Sequence, residues 1–350
     1  MLRYGIFHGR NLEFFKFNLS PFFGLPMTNY KQWDVGPKFD HPVAGHRGIT
    51  TGSSSSKEKQ DIVESTVRPI KMSYTSYEQT KGVGDSDEPI IIMHGLLGSK
   101  TNWNSLSKAI HNKTKKKVVA VDARNHGESP HTTELTYNHL AADIKALMDD
   151  LSFKKATLIG HSMGGRAVML VAHRFPELVK ELIVVDISPQ RTSPNLKNLL
   201  KCFEAMRLVK VDPKTPLSAA RKSADTQLSK YITDPGLRQF LLTNLVEGED
   251  GKYKWRVNLD AITSNFSTNI SNFPTLNSTY SGPTLFIGGT NSDYLLKEEE
   301  KEILKLFPRA HFTYIQDAGH WVHSEKPEEF LKLVNAFVQN PDDFGKTLQK

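Results

Sequence analysis

The feature that most constrains this chain is a serine between two glycines, where a strand is expected to turn into a helix. Gly160, Ser162 and Gly164 follow the short apolar run 156–159, and residues 165–175 have helical spacing. Such a turn strains the serine backbone, and only residues without a Cβ let the chain pass so closely on either side. The strain points the hydroxyl out of the sheet, where a base and a substrate can reach it. The pattern predicts a nucleophilic Ser162, and the alternative is a structural turn.

Short apolar strands alternate with amphipathic helices on both sides of this turn. The pattern predicts edge strands within 66–77 and further strands at 89–93, 117–121, 156–159, 181–185, 283–287 and 311–315. Helices are predicted at 102–110, 137–151, 163–174, 297–307 and 327–338. Continuous apolar strands separated by helices indicate an α/β fold, with a mostly parallel sheet covered by helices on both faces.

The alternation stops between residues 189 and 281. Amphipathic helices are predicted there at 195–210, 216–231 and 237–246, with a further stretch at 255–262 after a turn. We interpret 189–281 as a helical cap inserted into a core formed by 61–188 and 282–345. The apolar side chains of the cap pack within the cap or line a substrate pocket, and they include Leu199, Phe203, Met206, Phe240 and Leu241.

Residues 1–60 are expected to be a leader that does not belong to the fold. They contain 8 Lys and Arg against 4 Asp and Glu, and they end in a serine-rich stretch. Basic, acid-poor leaders are typical of mitochondrial transit peptides, so we expect import into the matrix. The alternative is a disordered tail on a cytoplasmic protein. No apolar run reaches the roughly 18 residues that would predict a membrane span.

Charge and cysteine content narrow the function classes. The net charge is +7 at pH 7, much of it in the leader, and we interpret the lysines of 113–117 as a solvated helix end. Nucleic acid is therefore not an expected partner. The single cysteine, Cys202, excludes an intramolecular disulfide framework. No CxxC or HExxH pattern occurs, so the sequence predicts neither a metal nor a cofactor.

A serine hydroxyl needs a base within hydrogen-bond reach, and a carboxylate must orient that base. His320 follows the last predicted strand, so it lies at the sheet edge where Ser162 also stands. We therefore predict His320 as the base. His161 is expected to pack or line the pocket, and His323 to lie on the surface or behind the base.

Three carboxylates compete for the orienting role. Asp186 ends the predicted strand 181–185 and is the first choice, because it lies one strand from Ser162. Asp260 lies on the predicted cap and is the second choice. Asp293 is the third, since the loop that often carries the acid has Asn291 at the expected place.

The tetrahedral intermediate of acyl transfer carries an oxyanion that needs preorganised N–H donors. One donor is expected at the residue after the nucleophile, Met163, and the other at Leu96 in the glycine-containing loop 94–98. Asp122 and Arg124, after the next strand, are expected to brace the edge of the sheet with hydrogen bonds.

These motifs together resemble the α/β-hydrolase superfamily. Within residues 90–337 they stand in the family's order as HGLLG, VDARNHGESP, GHSMGG, VVDISP and AGHWVH. The residues of the motifs VDARNHG, WRVNLDA and GHWVH are most similar to those of a mitochondrial group of serine hydrolases that has bacterial esterase relatives. The resemblance implies Ser162 as nucleophile and His320 as base. It places the acid of the bacterial relatives at Asp186, whereas eukaryotic members also have an aspartate at the position of Asp260.

The prediction is a serine hydrolase that cleaves carboxylic esters or thioesters through an acyl-enzyme, as carboxylesterases, thioesterases and lipases do. Its expected partner is a small acyl ester, with mitochondrial protein complexes as further candidates. One alternative is an acyltransferase with the same triad, and another is a non-catalytic scaffold of this fold. A dehalogenase or epoxide hydrolase is not expected, because those enzymes have an aspartate where Ser162 stands.

Overall fold

The computed structural model describes residues 67–78 and 88–347, with side chains as far as residue 345. The predicted leader, 1–60, lies outside the described residues, as does residue 61, where the core was expected to begin. The transit peptide and the division into core and cap therefore stay predictions.

A seven-stranded sheet forms the centre of the molecule. The strands of the chain are β1 (Tyr74–Tyr77), β2 (Ile90–Met93), β3 (Val118–Val121), β4 (Ala156–His161), β5 (Val179–Val185), β6 (Leu245–Glu247), β7 (Tyr253–Trp255), β8 (Thr284–Gly289) and β9 (Ala310–Ile315). The order across the sheet is β1-β3-β2-β4-β5-β8-β9, and only β1 is antiparallel to its neighbour. The predicted class, α/β with a mostly parallel sheet, is confirmed.

Helices connect the strands and cover the sheet. They are α1 (Asn104–Thr114), α2 (Tyr137–Asp150), α3 (Met163–Arg174), α4 (Asn198–Leu208), α5 (Leu217–Leu228), α6 (Pro235–Leu242), α7 (Leu259–Asn265), α8 (Glu300–Leu306), α9 (Val322–Glu325), α10 (Pro327–Gln339) and α11 (Phe344–Thr347). Short 3₁₀ turns lie at Lys100–Trp103, Pro176–Leu178, Pro194–Lys197 and Lys297–Glu299, and a π-helical turn lies at Phe266–Ile270. Among the residues described, no helix is long and apolar enough to cross a membrane.

Both faces of the sheet are buried, which explains why its strands are apolar without alternation. Ile91 and Met93 of β2 belong to a core that includes side chains of α2 and α3. Ile90 and Ile92 belong to a second core that includes side chains of α1 and α10. Successive residues of a strand point to opposite faces, so a strand between two helical layers needs apolar residues throughout.

Between β5 and β8 the chain forms α4 to α7, as the helical pattern predicts, and also a two-stranded ribbon that the pattern missed. The end of the stretch expected to be helical at 237–246 and the start of the one at 255–262 instead belong to the antiparallel pair β6 and β7. Tyr253, Lys254 and Trp255 form the second strand, and Gly251 makes the turn with a φ of +72°. A glycine adopts this backbone conformation without a Cβ penalty, so the segment closes as a hairpin.

The helix after Ser162 packs unusually close to β2 and to its own preceding strand. A Cβ added at Gly164 would lie 2.4 Å from the carbonyl oxygen of Met93, and one added at Gly160 would lie 2.3 Å from the carbonyl oxygen of Gly164. Both distances are far inside van der Waals contact. The glycines of the turn are therefore required by the backbone packing around Ser162.

Replacing Gly164 by alanine should lower the free energy of unfolding by about 3 kcal/mol, because the new methyl group meets a carbonyl that cannot move away. Urea denaturation of the two proteins measures the difference. Gly236→Ala is the matched control, since its Cβ would approach only a side-chain oxygen of Asp234, at 3.2 Å. It should cost less than about 1 kcal/mol. Equal stability of the Gly164 variant and the wild type would contradict the packing argument.

Candidate active site

Ser162 occupies the sharp turn between β4 and α3. Its backbone has a φ of +53° and a ψ of −117°, a conformation that a residue with a side chain rarely adopts. A hydrogen bond of 3.0 Å from its amide to the carbonyl of Val185 ties the turn to β5. The strained serine at the first turn of a helix is the geometry of a nucleophile elbow.

Asp186 and His320 are joined by a hydrogen bond of 2.7 Å between a carboxylate oxygen and Nδ1 of the ring. Asp186 directly follows β5, has a φ of +50° and is completely buried. Its carboxylate also accepts hydrogen bonds from the amide of Gly289, at 3.1 Å, and from the hydroxyl of Ser292. A buried carboxylate with these donors is held rigidly in place to orient the imidazole.

The other two candidate acids have different partners. Asp260 lies on α7 with its side chain 89% exposed and pairs with Arg207 at 2.6 Å. Asp293 accepts hydrogen bonds from the hydroxyl of Ser193, at 2.8 Å, and from the side-chain Nδ2 of Asn195, at 3.1 Å. Neither carboxylate is hydrogen-bonded to His320, so of the three candidates the structure brings Asp186 alone into contact with the base.

The loop that carries His320 is attached to the elbow through the residue before the nucleophile. Nε2 of His161 donates a hydrogen bond of 2.9 Å to the backbone carbonyl of His320, and the two rings lie 4.7 Å apart. The ring of Tyr294 stacks on that of His320, with 3.7 Å between the centroids. Within the described residues no hydrogen bond joins the Ser162 hydroxyl to His320; catalytic contacts of this kind often tighten only when substrate binds.

The ionisation of the pair is governed by burial. Burial lowers the pKa of His320, which keeps the imidazole neutral and able to accept a proton. Burial also raises the pKa of the Asp186 carboxyl, and the hydrogen bonds from Ser292 and Gly289 oppose that rise. The donors to the carboxylate therefore hold its pKa below the value that burial alone would give.

The predicted oxyanion donors, Leu96 and Met163, lie on two backbone segments that meet at Ser162. A Cβ added at Gly95 would lie 3.2 Å from Cβ of the serine, so the loop of Leu96 runs directly beside it. Met163 is the first residue of α3, and amides of a first helical turn have no acceptor within the helix. The amide of Leu97 instead donates to Nε2 of His126, at 3.1 Å. This arrangement leaves the amides of Leu96 and Met163 as the candidate donors to an oxyanion.

Two buried histidines fix the Leu96 loop to the loop that follows β3. His94 accepts a hydrogen bond from the amide of Ala123, and His126 accepts the one from Leu97. Each ring donates from Nδ1 to a backbone carbonyl, at 2.7 and 2.8 Å. Both rings are therefore neutral, and burial lowers the pKa of His126 to about 3. The sequence analysis did not single out these two histidines; their position in loops after neighbouring strands was the available signal.

Asp122 and Arg124 brace the edge of the sheet through hydrogen bonds, as expected. Asp122 accepts hydrogen bonds from the amides of Lys100 and Glu128. Arg124 makes two bonds of 2.7 Å to the buried carboxylate of Asp143.

His323 was expected on the surface or behind the base, and the surface expectation is wrong. Its ring is buried and stacks on Trp103 at 4.3 Å between centroids. The ring of His161 lies 4.6 Å from it, so His323 packs behind the elbow.

The candidate cap residues divide into two groups. Phe203, Met206 and Leu241 are fully buried in the core of the helices, whereas Leu199 and Phe240 are only partly buried. Phe240 lies 5.7 Å from Trp321, the neighbour of His320, and is the member placed to line a substrate pocket. No group of three His, Cys, Asp or Glu side chains within 67–78 and 88–347 could hold a metal ion.

Comparison with known proteins assigns the chain to the same fold family as its geometry does. The family model for the alpha/beta hydrolase fold matches residues 88–327. The chain belongs to the α/β-hydrolase family. The inferred resemblance to this superfamily, and to its group with bacterial esterase relatives, is confirmed.

Relatives that are named for an activity are similar to this chain over most of its length. The "sn-1-specific diacylglycerol lipase ABHD11" of Mus musculus is 44% identical over 286 residues, which cover 81% of this chain and 89% of the relative. "Esterase YbfF" of Escherichia coli (strain K12) is 32% identical and covers 75% of this chain and 97% of the relative. The solved structure of a "Marine microorganism esterase" has a TM-score of 0.67 and 35% identity, over 76% of this chain and 98% of the other. The protein is an ester-hydrolysing serine hydrolase.

Replacing His126 by glutamine should flatten the loss of stability in acid. A histidine whose pKa falls on folding contributes stability above its unfolded pKa of about 6.5, and that stability is lost as the pH falls towards 3. The wild type should therefore lose about 1.4 kcal/mol per pH unit more than the variant between pH 6 and 4. Urea denaturation across this range measures both slopes, with His131→Gln, at an exposed position, as control. Parallel curves for wild type and His126→Gln would contradict a neutral buried ring.

Proposed function

We propose that the protein hydrolyses one acyl ester of a diacylglycerol through a Ser162–His320–Asp186 triad. The observation that carries the proposal is the 2.7 Å hydrogen bond between His320 and the buried Asp186, at the same sheet edge as the strained Ser162. The relatives named diacylglycerol lipase support the substrate class.

The mechanism follows from the positions of these groups. The Ser162 oxygen attacks the ester carbonyl while Nε2 of His320 accepts its proton, and Asp186 stabilises the imidazolium that forms. The carbonyl oxygen becomes an oxyanion that the amides of Leu96 and Met163 stabilise. The intermediate collapses, the alcohol leaves with the proton from His320, and an acyl-enzyme remains. Water, activated by His320, then releases the carboxylic acid and restores the serine.

The surroundings of the triad suit an acyl chain. Phe240 of α6 and Trp321 contribute aromatic surface next to His320, and Tyr294 covers the ring from the side. Apolar surface at this point favours a long acyl group, because burying its methylenes stabilises the complex.

We also propose that the protein works in the mitochondrial matrix, in association with protein complexes there. The support is the basic, acid-poor stretch 1–60. Imaging of a fluorescent fusion of the full chain tests this: cytoplasmic signal, or an unchanged location after deletion of 1–60, would contradict it.

Ser162→Ala should abolish hydrolysis of p-nitrophenyl acetate and of a diacylglycerol, with kcat at least about 10⁴-fold lower. The variant should also fail to react with a fluorophosphonate, because the attacking oxygen is gone. Ser267→Ala, at an exposed position, is the control and should behave like wild type. Product analysis in the presence of ethanol separates hydrolysis from acyl transfer. Activity retained by the Ser162 variant would refute the nucleophile.

Asp186→Asn should lower kcat by about 10³- to 10⁴-fold, since an amide holds the imidazole in the wrong tautomer. Asp260→Asn and Asp293→Asn should stay within about tenfold of wild type, because those carboxylates contact other partners. Steady-state kinetics of the three variants decide among the acids. If Asp186→Asn were near wild type, the proposed triad would be wrong.

A further inference from the structure

A cavity that no triad residue lines lies between the loop after β3 and the segments around β7. Its volume is about 640 Å³, and neither the triad residues nor the two candidate oxyanion residues line it. Cavities of this size are typical of small-molecule sites. Its walls are formed by residues 127–131, the end of α4 and the segment 253–260.

One wall of the cavity is apolar. It is formed by aliphatic side chains at the end of α4 and on β6, together with Trp255 and Val257. The aliphatic members of this wall are Met206, Val209, Val211 and Leu245. Such a surface favours a hydrocarbon chain, because each methylene removed from water contributes about 0.8 kcal/mol.

Charged side chains at the cavity have an excess of positive charge once their partners are counted. Asp260 is paired with Arg207, and Glu128 shares Lys100 with the buried Asp122, so the count leaves an excess of one positive charge. Lys254 and Arg256 also line the cavity, and neither has a salt-bridge partner in the part of the chain that the structure describes. Two cations at one cavity favour an anionic ligand.

Arg256 is held rigidly but is incompletely satisfied. Its amide donates to the carbonyl of Asn244 at 2.7 Å, and its carbonyl accepts from Nε2 of His131 at 3.1 Å. The guanidinium reaches the hydroxyl of Ser99 at 3.2 Å and the carbonyl of Thr243 at 3.5 Å. Its Nε is buried and finds no acceptor among the described residues. A buried donor without an acceptor is costly, and a negative charge beside the guanidinium would lower that cost.

We propose that this cavity binds an anionic amphiphile, with its carboxylate or phosphate head at Arg256 and Lys254 and its acyl chain along Trp255 and the apolar wall. The head pairs with Arg256 and Lys254, and the acyl chain packs on the half-buried Val209, Val211 and Trp255 of the wall. The site stands apart from the triad. Its occupation is therefore independent of whether Ser162 is the nucleophile.

Tryptophan fluorescence tests the position of the ligand. A long-chain fatty acid that carries bromine atoms is titrated into the full-length Ser162→Ala protein, because bromine quenches nearby indole rings. Trp255→Phe should remove most of the quenching, whereas Trp321→Phe, beside His320, should leave it in place. The reverse pattern would show binding in the catalytic pocket instead and would overturn the proposal, as would the absence of saturable binding.

Calorimetric titration of the same fatty acid tests the head group. Arg256→Gln should weaken binding by about tenfold or more, and Lys254→Gln by roughly threefold or more. Lys252→Gln is the matched control on the same ribbon: its side chain is 73% exposed and does not line the cavity, so affinity should stay within about twofold. Should Arg256→Gln fail to fold, Lys254→Gln and Trp255→Phe still decide.

The head group itself is varied at constant chain length. The fatty acid and the monoalkyl phosphate should both bind, and the tighter of the two identifies the natural head, whereas the uncharged alcohol should bind at least about tenfold more weakly. Equal affinity for alcohol and acid, or unchanged affinity in both cation variants, would overturn the proposal.

Discussion

The arrangement of this molecule depends on one close backbone approach, that of helix α3 to strand β2 at Gly164. The glycine lets the helix begin where a methyl group would meet the carbonyl of Met93. That approach brings the first amide of the helix alongside the loop of Leu96, and it holds Ser162 in a conformation with positive φ. The strain is offset by the buried sheet on either side, which supplies the packing that a loop alone could not.

The position of Asp186, the candidate acid, shows how a carboxylate on a different strand can reach the same imidazole. In many enzymes of this design the acid follows the strand before the last, which here is β8. In this chain that loop supplies donors instead: the Gly289 amide and the Ser292 hydroxyl both bind the carboxylate of Asp186, which stands after the neighbouring strand. Adjacent parallel strands end at the same edge, so a carboxylate on either can reach the imidazole. The Gly289 amide and the Ser292 hydroxyl, which lie where many such enzymes have the acid, thus favour the ionised form of Asp186.

The sequence was sufficient to predict the elements whose pattern lies within a few consecutive residues. The apolar strands, the glycine-flanked elbow and the helix after it carry their pattern within a few residues, and the structure places them as predicted. The ribbon of β6 and β7 was missed, because three-residue strands are too short for a period to be recognised. The first-choice acid, Asp186, is the one hydrogen-bonded to His320, and the choice among the three candidates depended on tertiary distance. The burial of His323 against Trp103 likewise joins residues that are far apart in the chain.

The segment between β5 and β8 is attached to the core at the candidate oxyanion loop itself. The peptide groups of Leu97 are bound from two sides: His126 accepts from its amide, and the buried side chain of Asn244, just before β6, donates to its carbonyl at 2.8 Å. Leu97 has a φ of +62°, so these bonds hold a backbone conformation that is unfavourable in isolation. Asn258 adds a second attachment, with its amide bonded to the carbonyl of Asn125 at 2.9 Å. Because the inserted segment contributes a hydrogen bond to the residue next to Leu96, it helps to fix the geometry of the candidate oxyanion loop.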